Sequence, residues 1–117
     1  MSALQLSSDD LGAFFDARHG ELAARLGDGT LEGLRGHHEA EALAMSMGHP
    51  LGLYTFLVPE AHGGAAVGRA GDARYVDVRS LCLVREALGQ VSPLADAIFA
   101  VQGLGTYPLV LAGSDAQ

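Results

Sequence analysis

The chain contains no lysine, asparagine or tryptophan, and only one cysteine. Its seven basic residues are therefore all arginines, set against 14 acidic residues for a net charge of −7. No basic run exists to neutralise a phosphate backbone or anionic lipid, so neither nucleic acid nor a membrane is expected as a partner. Cys82 cannot form an internal disulfide and fits a reducing compartment. The opening residues Met1 to Asp10 have no basic segment ahead of an apolar one, so no signal peptide is read there and a cytoplasmic protein is expected.

Charge is scarce as well. Charged residues make up 18 % of the 117, against 49 % hydrophobic ones, which excludes a disordered chain. A single domain of this size exposes much surface, so either its core is generous or something covers part of the outside. Leu94 to Gly113 approaches membrane-spanning length. Asp96, Gln102, two glycines and Pro108 are expected to divide it into short pieces, which makes the protein soluble.

Helical signals dominate. Ser8 reads as the cap of a first helix, with Asp9 and Asp10 in its first turn, Arg25 in its last and Gly27 as its stop. Leu11, Phe14, Phe15, Leu22 and Leu26 then share one face. A second helix is expected from Thr30 to Met47, weakened by Gly33 and Gly36 and ended by Gly48 and Pro50. Leu53 to Val58 has strand composition, yet one strand without a partner forms no sheet, so an extended buried connector fits equally. A glycine- and alanine-rich loop follows from Pro59 to Gly71.

Asp72 reads as the cap of a third helix reaching Leu88, closed by Gly89, with Val78, Leu81, Cys82 and Leu88 inward. Ser92-Pro93 is a strong start for a fourth helix, expected to run to Leu104 and stop at Gly105. Pro108 to Ala112 gives a further turn or two, and Ser114 to Gln117 has the form of a capping box. The class is mainly α, with no repeat.

Three motifs imitate chemistry. Gly63 to Ala70 copies a phosphate-binding loop but has Arg69 and Ala70 where lysine and a hydroxyl are needed, so a surface loop is the better reading. Ala44 to Gly48 copies a nucleophile elbow without the sheet that makes one work, leaving Ser46 an ordinary helix-end residue. His37 and Glu41 would share a helical face, with His38 adjacent, but a metal site would also need His49 or His62, and solvated side chains are the simpler reading. Cys82, on an apolar face, reads as inert core. On the fourth helix Asp96, Ala100 and Gly103 share one side with Phe99 beside them. Small residues at that spacing either leave a groove or let two helices touch.

Leu57-Val-Pro-Glu-Ala-His-Gly-Gly64, Leu83-Val-Arg-Glu-Ala-Leu88, Phe99-Ala-Val-Gln-Gly-Leu-Gly105 and Pro108 to Ser114 occur in a set order. Together they resemble the N-terminal helical domain of the acyl-CoA dehydrogenase family, from about Leu53 to Gln117, and before that only in helical pattern. The resemblance implies an all-α fold, a small bundle of about five helices, with residues 1–117 forming one domain. In that family a glutamate removes the α-proton of an acyl thioester while FAD accepts the β-hydride. The N-terminal domain walls part of the acyl tail.

By that implication Phe99, Ala100, Gly103 and Leu104 contact the tail of an acyl-CoA. Asp96 would have to turn to solvent or find a partner. His62 stands where the family often has an aromatic residue, and the loop from Ala65 to Arg74 is longer and richer in glycine. The flavin-binding β-domain and the domain carrying the base lie outside this chain, so no catalytic residue and no metal ligand is assigned to it.

The expected protein is a fragment or short subunit of a heteromeric flavoprotein oxidoreductase of fatty acid metabolism. FAD and the base would be carried mainly by a partner chain. The alternatives are a non-catalytic acyl- or protein-binding module of the same descent, or part of a flavin oxidase or monooxygenase.

Overall fold

A computed structural model of the chain describes residues 4–65 and 75–117. The described residues form an all-α domain with five α-helices: α1 (Ser7–Asp10), α2 (Ala17–Arg25), α3 (Ala40–Gly48), α4 (Val78–Val91) and α5 (Pro93–Ala112). Between them lie short 3-10 turns (Gly12–Phe14, Glu32–Leu34, Leu53–Leu57 and Glu60–His62) and one π-helical turn (Leu26–Thr30) among the described residues. The core lies where α3, α4 and α5 meet, and Leu43, Met47, Leu53, Leu83, Val84, Leu88 and Phe99 are almost inaccessible there. The molecule is only 19 Å across its shortest axis, about two packed helices.

The expected first helix is divided. Asp16 interrupts it by capping α2: its carboxylate accepts from the Arg18 backbone N–H, and its own N–H is accepted by Nδ1 of His19. This restarts the helical phase, so Leu22 and Leu26 are buried while Leu11 and Phe14 face outward. Nor does Ser8 cap α1. Glu86 of α4 does so from across the bundle, accepting from the backbone N–H and hydroxyl of Ser7 at 2.9 Å and 2.7 Å.

Gly36, with φ of +78°, separates a short turn at Glu32–Leu34 from α3, so no continuous helix spans Thr30 to Met47. Leu53–Leu57 is neither strand nor extended connector. It is a 3-10 helix entered through Gly52 at φ +65°, with Leu53, Phe56 and Leu57 buried. With no strand among the described residues to pair with, this turn satisfies its backbone internally.

Helix α4 begins five residues later than expected for an Asp72 cap, a residue outside those described. Asp77 is the cap, accepting from the Arg79 N–H. The buried face is Ser80, Leu83, Val84, Ala87, Leu88 and Val91, so Val78 and Cys82 are exposed and Cys82 is not core. Gly89 does not end the helix, because its φ stays negative and α4 continues to Val91.

Ser92 and Pro93 start α5 as expected, the Ser92 hydroxyl accepting from Ala95 N–H at 3.2 Å. The helix then runs unbroken through Gly105 and Pro108 to Ala112. Instead of short pieces, Pro93–Ala112 is one apolar helix of 20 residues, long and apolar enough to cross a membrane by length and composition alone. Its first third is built into the bundle, since Ala95 and Phe99 are buried; they are the buried residues of the helix.

Candidate functional site: an apolar groove beside α5

Side chains three and four apart on a helix lie on one face, so Phe99, Ala100, Gly103, Leu104 and Tyr107 form a continuous strip along α5. This strip is one wall of an open groove of about 700 Å³. Leu57 and the segment from Tyr75 to Arg85 supply the rest. All four positions expected to meet an acyl tail are therefore brought together on one surface.

Their environments differ. Phe99 is 1 % exposed and forms the floor, its ring stacked on Tyr54 with centroids 6.1 Å apart. Tyr54 is fixed in turn by donating its hydroxyl to the Ala44 carbonyl at 2.9 Å, while burial pushes its phenol pKa up. Ala100 and Gly103 are half-buried, and Leu104, 76 % exposed, stands at the rim. A methyl group added at Gly103 would lie 3.2 Å from Cδ2 of Leu57, a tight approach to the tip of a flexible side chain. Gly103 thus both opens the groove and lets Leu57 pack close.

Asp96 has the partner it requires. Arg85 reaches across from α4 and donates Nε to Oδ1 at 2.8 Å and Nη2 to Oδ2 at 2.9 Å. This two-point contact raises the Arg85 pKa above its ordinary value and turns the carboxylate away from the apolar wall.

The Pro59–Gly64 corner has a local physical basis. Gly63 adopts φ of +85°, which favours glycine. At Gly64 a Cβ would fall 1.7 Å from the Val58 carbonyl oxygen, an impossible approach. The backbone N–H groups of Gly64 and Ala65 close the corner onto Pro59 and Thr55. The rest of the glycine-rich run, including Arg69 and Ala70, lies outside the described residues. Ser46 sits inside α3 near its end.

His37 and His38 precede α3 rather than lying on it, so His37 and Glu41 share no helical face. Among the described residues no group of three or more His, Cys, Asp or Glu side chains is arranged to hold a metal ion.

Sequence reasoning missed a buried polar cluster between α2 and α4. His19 and Asp77 are each 1 % exposed, with Nε2 of His19 2.5 Å from Oδ2 of Asp77. Because Nδ1 accepts from the Asp16 N–H, the ring proton sits on Nε2 and is donated to Asp77. Ser80 donates its hydroxyl to the same carboxylate oxygen at 2.7 Å. The serine proton thus points at a carboxylate and not at the imidazole, and this is no nucleophile–base pair. Burial opposes ionisation of Asp77, but hydrogen bonds from Ser80 and His19 outweigh it and hold the carboxyl below its usual range. The cluster ties two helices together. Its signal in the sequence was the double cap, Asp16 with His19 and Asp77 with Ser80 three residues on.

The fold and groove define a small all-α domain with an open, largely apolar groove. No family model matches the chain, and neither a curated protein nor a solved structure matches it.

Proposed function

We propose that this chain is a helical domain of an acyl-CoA dehydrogenase-like flavoenzyme, contributing the wall that lies against the acyl tail. One observation carries the reading: Phe99, Ala100, Gly103 and Leu104, picked out by the family resemblance, line a single apolar groove. A tail needs a mainly apolar surface, and the lining, in which aliphatic and aromatic side chains predominate, suits that.

The same lining does not suit FAD itself. A pyrophosphate needs free donors, whereas Nε and Nη2 of Arg85, the cation lining the groove among the described residues, are both engaged by Asp96. FAD, which would accept the hydride, accordingly belongs to a partner chain or domain together with the catalytic base. This domain's part is to bind the tail and exclude water from it.

The test is purification of the chain alone and with its partner, followed by absorption near 450 nm, roughly where oxidised flavin absorbs. Dehydrogenation of an acyl-CoA series is assayed in parallel. Flavin and activity are expected in the complex and in no preparation of this chain alone. A bound, reducible flavin in the lone chain, or a partner complex without flavin, overturns the reading.

A further inference from the structure

Helix α5 carries a second pattern, which shares Leu104 and Pro108 with the groove but otherwise faces elsewhere. Leu94, Ala97, Val101, Leu104, Pro108 and Leu111 follow one another at alternating spacings of three and four residues, the seam of a helix made to pack on another helix. Every one of the six is exposed; Val101 is 64 % and Leu104 76 % accessible. The seam faces away from Ala95 and Phe99, which anchor α5 in the core, and only its edge meets the groove at Leu104 and Pro108.

We propose that this seam is a self-association surface, on which α5 of a second copy packs antiparallel. The exposed area is of the right order: Leu94, Val101, Leu104 and Leu111 are 39–76 % accessible, and covering the whole seam on both copies brings a symmetric pair to the threshold of about 1,000 Å² for a specific interface. From Ala97 to Ser114 the chain has no charged residue, so α5 has no flanking charges of the kind that select an unlike partner. The antiparallel arrangement follows from charge. A parallel pair would set two bodies of net charge −7 side by side, whereas an antiparallel pair holds them at opposite ends of a helix about 30 Å long and opposes the two helix dipoles favourably.

In that pairing Val101 meets Leu104 of the other copy, and Leu94 meets Leu111. Ala97, the smallest member of the seam, then faces the Pro108 ring and leaves room for it. Sedimentation velocity of the purified chain across a wide concentration range should show a reversible dimer. Val101→Glu and Leu104→Glu should each weaken it at least tenfold, while the melting curve at concentrations low enough to leave only monomer stays unchanged, both sites being exposed. Val78→Glu, equally exposed but off the seam, should leave the dimer intact. In a Cys82→Ser background, a mixture of Leu94→Cys and Leu111→Cys chains should oxidise to a mixed disulfide dimer. A chain monomeric at every concentration overturns the proposal. So does a dimer indifferent to both glutamates, a Leu94→Cys chain that crosslinks to itself, or a monomer that cosediments with neutral phosphatidylcholine vesicles.

Discussion

Arg85 and Asp96 clasp α4 to α5 through two nearly parallel hydrogen bonds of 2.8 Å and 2.9 Å at the mouth of the apolar groove. The pair lets a carboxylate stand beside an apolar wall without facing it. Both side chains keep contact with water, 50 % and 23 % exposed, so the contact is a modest one energetically. A double-mutant cycle of Arg85→Ala and Asp96→Ala, followed by urea unfolding, should give a coupling of about 0.5–1 kcal/mol that shrinks in high salt. Coupling indistinguishable from zero at low salt would mean the pair does not hold the helices.

The buried cluster should matter more. His19→Ala leaves the Asp77 carboxylate inside the protein with one of its strongest donors gone, and a cost of about 3 kcal/mol is expected. Asp77→Asn on top of His19→Ala should recover part of that loss, because the residual buried charge is removed. Additive losses in the double variant would argue against a coupled cluster.

Acid should act through Asp77. Its folded-state pKa is depressed, so its contribution to stability is fully present above the unfolded aspartate value of about 3.9. That contribution is lost as pH falls from there through the lower folded value. Melting temperature should drop across this acid window, and the drop should be shallower in Asp77→Asn. Identical pH profiles for the two proteins would remove Asp77 from the account.

Gly103 separates groove from packing. Gly103→Ala asks only that the tip of Leu57 shift, and alanine gains helix propensity of up to about 1 kcal/mol, so stability should be unchanged or higher. Gly103→Leu fills the groove. On the proposed function, kcat/KM of the enzyme completed by its partner should fall about ten- to a hundredfold for long acyl chains and little for short ones. A uniform loss with a lowered melting temperature would make Gly103 a packing residue alone.

Gly64 offers a local contrast. The Val58 carbonyl occupies the place a methyl would take, and that atom is backbone, so the corner must open. Gly64→Ala should cost about 2 kcal/mol or more in thermal or denaturant unfolding, whereas alanine at Gly12 or Gly89, where nothing lies within 4 Å, should cost nothing. Equal stability of all three variants would contradict the geometry.

Local chemistry by itself determined the helical class, the Ser92-Pro93 start of α5, and the small residues that open a strip along it. Each depends on residues within one or two turns, where capping and side-chain spacing act directly. Everything set by distant residues was decided by the tertiary structure. Asp16 and Asp77 become the capping residues of α2 and α4 because both stand in one cluster, in which His19 and Asp77 meet from 58 positions apart. Leu53–Leu57 folds as a helical turn because the packed helices bury its three apolar side chains and no strand is at hand. Most of all, α5 survives Gly105 and Pro108 as one helix, although each is locally a breaker. An apolar periodicity announces that a face will be covered, but which face meets the core, and which is left for a ligand or a second chain, is fixed only when the other helices take their places.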